Sequence, residues 1–166
     1  APDIFFGNDK MEVTDTDIYK SDQAFTQGQM ITVTGIDNLN EWWIDPDFFE
    51  KQSDGALKFL PINGDYRVTA NAVLKYFSVM ALKDGKPAKL QDDGTGAIWA
   101  IGKGIGKPSV TSSEVGWEPS KALCLAQVAS KKYQLTLKAG ETLKTSGDPE
   151  VISFKFFHQN DWGGEF

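Results

Sequence analysis

One histidine, one cysteine and a scatter of carboxylates are the side chains of this chain best suited to chemistry. His158, in the closing run "FKFFHQNDWGGEF", would act as a general base only with a partner group within hydrogen-bond reach. No G-x-S-x-G elbow is present to supply a serine nucleophile, so His158 reads as an ordinary residue at a loop edge. Cys124 lies in the apolar run "ALCLAQV" with no cationic neighbour to stabilise a thiolate, and it reads as a small buried hydrophobe. A single cysteine forms no intrachain disulfide. The carboxylate pairs Asp45 and Asp47, Glu114 and Glu118, and Asp161 and Glu165 would serve glycoside hydrolysis if they faced each other across roughly 5 to 9.5 Å. Spacing along the chain does not establish such facing, and most of these acids are expected as solvated loop residues. The runs "DTD", "DPD" and "DD" do not follow the calcium-loop pattern, and one His with one Cys disfavours zinc. No catalytic residue, metal site or cofactor is therefore expected. "IGKGIGKPS" imitates a phosphate loop, but Pro108 follows Gly106 and Lys107 where Ser or Thr is required. Lys107 also occupies the third glycine position of the dinucleotide pattern. The stretch is expected to be a tight loop in which glycines take positive φ.

The tryptophans carry a different kind of chemistry. Trp117 follows Gly116 in the polar stretch "SSEVGWEPS", and Trp162 sits in "QNDWGG". An indole in a glycine-flanked polar loop has little core to fill and exposes apolar area unless something covers it. The C–H face of a pyranose ring is one such cover, and the hydroxyl rim of a sugar suits Lys155, Gln159, Asn160 and Asp161 beside Trp162. A neighbouring module or a partner protein would cover the rings equally well. Trp99, in "AIWAI", is expected to be buried. Trp42 and Trp43, in "NEWWIDPDFF", read mainly as a core or inter-module anchor, with one ring facing in and the other out.

The elements that must position these rings are strands. "MITVTGI" and "VISFKFF" alternate at period two, and "ALKFLPI" is a short strand stopped by the turn signal "NGD". "YRVTANAVLKYFSVMAL" divides into two strands with a bend near Ala70 to Ala72. "AIWAI", "ALCLAQV" and "YQLTLKAG" complete the set. "DPDFFEKQ" would form one helical turn, with Asp45 as cap and Pro46 at the first position. The polar run "DGKPAKLQDDGTG" is a loop or linker. The expected fold is all-β, a β-sandwich of immunoglobulin-like or carbohydrate-binding-module-like type, in two small modules over residues 1–92 and 93–166. The segments beginning at Tyr19 and Tyr133 share the order tyrosine, strand, glycine, alternating strand, polar loop, tryptophan. Read as repeats, the second lacks the closing strands of the first, which implies that the chain is part of a longer protein.

Bulk composition excludes several classes. Of 166 residues, 40% are hydrophobic and 24% charged, which is globular rather than disordered. The net charge is −6 and Arg67 is the only arginine, so no cationic face is available to displace counterions from nucleic acid or to bind an anionic bilayer. No apolar run has the length of a membrane-spanning helix, and direct membrane insertion by this chain is not expected.

The stretch from Ile98 to Phe166, "IWAIGKGIGKPSV…GWEPSKALCLAQV…YQLTLKAG…ISFKFFHQNDWGGEF", resembles the starch-binding modules of the SusE and SusF surface lipoproteins. The front part, "FTQGQMITVTGI…WWIDPDFF…LKFLPINGDYRV…LKYFSVMAL", is similar to the companion module of SusE-like proteins. The resemblance implies a non-catalytic oligosaccharide- or polysaccharide-binding protein, held by a lipid anchor at the extracellular face of the outer membrane. It would work with other Sus-type outer-membrane proteins in glycan uptake. By motif position the family's two aromatic contacts and one basic contact fall on Trp117, Trp162 and Lys155. Two other classes remain open: an interaction module docking a partner through its aromatics, and a small glycoside hydrolase.

Overall fold

The structure, a computed structural model, describes residues 1–166. The protein is nearly all β, with 45% of residues in strands and 6% in helix, and has a sandwich-type fold in two domains. Two compact units divide the chain, Ala1–Gly85 and Lys86–Phe166.

The first unit contains β1 (Phe5–Phe6), β2 (Asp9–Lys10), β3 (Glu12–Asp15), β4 (Ile18–Phe25), β5 (Met30–Ile31), β6 (Val33–Thr34), β7 (Phe49–Lys51), β8 (Leu57–Phe59), β9 (Gly64–Asn71) and β10 (Tyr76–Lys83). Strands β10, β9, β4 and β3 lie side by side in one antiparallel sheet, and β2-β1-β6 and β5-β8-β7 form two smaller ones. "MITVTGI" is therefore not one strand. Its halves, separated by Thr32, join different sheets, β5 pairing with β8 and β6 with β1. Phe77, Ala70 and Tyr19 stand opposite one another across β10, β9 and β4, as do Val79, Val68 and Ser21. Cross-strand partners share a sheet face, and all six are buried. The bend expected near Ala70 to Ala72 falls at Ala72–Lys75, where Asn71 Oδ1 accepts from the N–H groups of Val73 and Leu74 at 3.1 and 3.0 Å.

Phe6 joins the layers. Its ring meets Phe25, Phe49 and Phe77 with centroids 6.1, 5.8 and 5.3 Å apart, all edge-on. Trp42 is buried on Phe77 and Trp43 is half-buried on Tyr76, so neither indole faces fully outward. The "DPDFFEKQ" turn closes on Asp45, whose carboxylate accepts from Asp47 N at 3.0 Å while its carbonyl accepts from Phe49 N at 2.9 Å. The chain leaves this single turn directly into β7. Asp45 and Asp47 are both buried, so this pair departs from the expectation that most of the paired acids are solvated, and the Asp45 carboxylate is engaged within the turn.

The second unit contains β11 (Lys86–Pro87), β12 (Trp99–Gly106), β13 (Glu114–Gly116), β14 (Leu123–Cys124), β15 (Ala126–Ala129), β16 (Lys132–Gln134) and β17 (Ser153–Phe157), with one short α-helix, α1 (Val110–Ser113), and a 3-10 turn at Pro119–Lys121. β12 is central, flanked by β13 and β14 on one side and β17 on the other. Its residues run through "GKGIG", so this stretch is strand and not the tight loop expected from its glycines. Positive φ does occur there, at Gly102 and Gly104, but inside an irregular ladder. The physical reason is close approach. A Cβ on Gly102 would lie 2.3 Å from Phe154 Cα and 2.4 Å from Ser153 O. Glycine lets β17 pair against β12 at that point.

The core of this unit is Ala100, Ile101, Ile105, Val115, Leu125 and Phe157. Trp99 is buried, and its Nε1 donates to Ala88 O at 3.0 Å. Cys124 is buried as well. "YQLTLKAG" forms a strand only to Gln134. Leu135 and Leu137 pack on the core from irregular backbone, so their apolar spacing reflects burial without a ladder. The two tyrosine-led segments form different elements: Tyr19 lies on a strand paired on both sides, whereas Tyr133 lies on the two-stranded β15-β16 ribbon.

Candidate functional site

β12 runs antiparallel to both β13 and β17. Gly116, at the end of β13, pairs with Gly102, and Phe157, at the end of β17, pairs with Trp99. Both flanking strands therefore finish toward the same end of β12. The residue after β13 is Trp117, and the loop after β17 carries Trp162. Their indoles meet there, stacked with centroids 6.3 Å apart and planes 30° apart. Trp117 is 39% exposed and Trp162 48% exposed. Phe157 supports the pair from the core side, edge-on to Trp162 at 5.8 Å. The composition of the pair was legible from the glycine-flanked loops; Phe157 was not, because its role depends on the register of β17.

The loop 158–164 is a hairpin turn. Phe157 bridges Glu165, His158 N donates to Gly164 O at 2.7 Å, and Phe166 N donates to Phe156 O at 3.1 Å. Gly163 and Gly164 take φ of 89° and 64°, which lets the chain reverse. The return could have been anticipated from "WGG" standing between two aromatic segments.

The other expected contacts lie on or beside this hairpin. Lys155 is half-exposed on β17, and its Nζ sits 2.9 Å from Glu165 Oε1. Gln159 Nε2 donates to Trp162 O, and to Gly163 O at 3.4 Å. Asp161 Oδ1 accepts from Trp162 N at 2.7 Å. Trp117 and Trp162 are brought together, while Gln159 and Asp161 are bonded within the loop that carries Trp162. His158 packs its ring against Phe166 at 4.2 Å.

The remaining carboxylates are engaged elsewhere. Glu114 Oε2 accepts from Gly104 N at 2.9 Å and Oε1 from Ser146 Oγ at 2.7 Å. These hydrogen bonds hold its carboxyl below the ordinary value, Ser146 contributing most. Glu114 therefore belongs to the framework that fixes β12 and β13. Glu118 lies 3.7 Å from Lys121 on the surface. No group of three or more His, Cys, Asp and Glu side chains converges in a way that would hold a metal ion.

Fold and site together define a two-domain all-β protein whose second domain presents an exposed indole pair at one end of its central sheet. The chain belongs to the family described as "Domain of unknown function (DUF5125)", whose model matches residues 2–90. A second model, "Domain of unknown function (DUF5121)", matches residues 93–166. No curated protein and no solved structure matches the chain.

Proposed function

We propose that the protein binds oligosaccharide or polysaccharide without catalysis, on the Trp117–Trp162 pair of its second domain. The observation that carries this reading is the convergence of two half-exposed indoles from separate strands onto one patch. Stacked aromatic area of this kind accepts the apolar face of a pyranose, because covering it removes apolar surface from water without desolvating a charge. Lys155, paired to Glu165 at the surface, keeps N–H donors for sugar hydroxyls, and Asp161 keeps a second carboxylate oxygen. The resemblance to SusE and SusF modules supports the same assignment. On that resemblance we propose further that the protein works in a Sus-like glycan uptake system, lipid-anchored at the extracellular face of the outer membrane.

A second reading has its own observation. Ile152, Phe156 and Phe166 are also exposed, so the unit presents apolar area beyond the indole pair. An interaction module would use that area to dock a partner protein. Calorimetric titration of the whole chain with a panel of neutral and acidic oligosaccharides separates the two. Glycan binding predicts heat with at least one panel member and its loss in Trp162→Ala. Silence across the panel, or an affinity unchanged by Trp162→Ala, rejects it.

A further inference from the structure

The hydrogen bonds of the 158–164 loop point its polar side chains at their own backbone. Gln159 Nε2 donates to the carbonyl oxygens of both Trp162 and Gly163. From the other side, Asp161 Oδ1 accepts from Trp162 N at 2.7 Å. The peptide units on both sides of Trp162 are thus gripped by side chains of the same loop. Gly163 lies close over the Gln159 amide: a Cβ there would be 3.1 Å from Nε2. His158 N to Gly164 O closes the base. The indole these bonds carry is the one stacked on Trp117.

We propose that Gln159 is a positioning residue, whose amide fixes the backbone at Trp162 and so holds the indole against Trp117 before any ligand arrives. Only the neutral amide suits the task. Its nitrogen offers two donors to two carbonyls, whereas a glutamate of equal length would set a carboxylate against both oxygens. The consequence for affinity rests on the glycan reading above; the consequence for the indole pair does not. With the latch removed, the ligand itself would have to order the loop and would bind more weakly by that cost.

Two indoles 6.3 Å apart couple excitonically, and the difference in indole-band circular dichroism between the wild type and Trp117→Phe isolates that couplet from the signal of Trp42, Trp43 and Trp99, which is common to both. Trp117→Phe sets the baseline without the pair, the other four indoles remaining. Gln159→Glu and Gln159→Met are expected to lose more than half of the couplet amplitude, with little change in melting temperature. Their affinity for a glycan that binds the wild type should fall about tenfold, the effect of moving loop ordering into the binding step. A couplet at full strength in both variants overturns the proposal, as does a wild type with no couplet. Should either variant fail to fold, the wild type decides: the Gln159 side-chain amide protons are expected to exchange slowly with solvent, and exchange as fast as in free glutamine contradicts the latch. Loss of the couplet in a protein that binds no glycan would remove the carbohydrate reading and leave the positioning role standing.

Discussion

The two units use aromatic residues in opposite ways. In the first, Phe6, Phe25, Phe48, Phe49, Phe59, Phe77, Tyr66 and Trp42 are buried and form much of the interior. In the second, the interior is largely aliphatic, with Ile101, Ile105, Val115 and Leu125 joined by Phe157 and Trp99. There Trp117, Trp162, Phe156 and Phe166 lie at the surface. A single composition thus covers two physical roles. An aromatic ring buried among others contributes transfer free energy and edge-to-face packing. An aromatic ring left half in water contributes little to folding and is available to something else. The difference teaches that aromatic content by itself does not assign a role in this chain; burial separates the rings that pack from those that face water, and the proposed glycan site rests on two of the latter.

The contrast can be broken most sharply in the first unit. Phe6→Ala removes a fully buried ring that touches three others, and should cost about 4 kcal/mol of stability in chemical denaturation. A loss below about 1 kcal/mol would mean that the rings do not form a packed interior. The second unit should be more sensitive to backbone than to rings. Gly102→Ala forces a Cβ into the Phe154 backbone at positive φ, and should cost about 3 kcal/mol by separating β17 from β12. Amide exchange across β17 would report the damage.

Glu114→Gln should have a smaller effect, about 1 kcal/mol near neutral pH, since the site is partly solvated. The sign of its pH dependence follows from the lowered folded value. The carboxylate contributes fully above its ordinary value of 4.5, and the contribution is lost as pH falls through the folded value. Acid titration of stability should accordingly be shallower in Glu114→Gln than in the wild type. Smallest of all, Trp162→Ala should change stability by less than about 1 kcal/mol, because half of the ring is already in water. A loss as large as that of Phe6→Ala would move Trp162 into the structural class and erase the contrast.

Much of this is legible in the sequence. β9 alternates from Tyr66 to Asn71, β10 is apolar along most of its length, and the turn between them is capped by Asn71, so pattern and local chemistry agree on two strands. Trp99 in an apolar strand, and Trp117 and Trp162 in glycine-flanked loops, lie where those contexts place them. The glycines of "GKGIG" suit a loop and a close approach equally. Only the neighbouring backbone of Phe154 and Ser153, brought in by the tertiary fold, makes it strand. Gln159 and Asp161 have polar side chains that suit a ligand or a loop equally, and the choice depends on where the Trp162 peptide units point. Asp45 and Asp47 are buried by a turn whose satisfaction is local but whose depth is not.

The account's central claim concerns which tryptophans meet ligand. The chain has five, and each indole N–H gives its own proton–nitrogen resonance. Titrating the labelled whole chain with a glycan that shows calorimetric heat should move the Trp117 and Trp162 signals and leave those of Trp42, Trp43 and Trp99 in place. Binding that shifts the three others instead, with Trp117 and Trp162 unmoved, would contradict it.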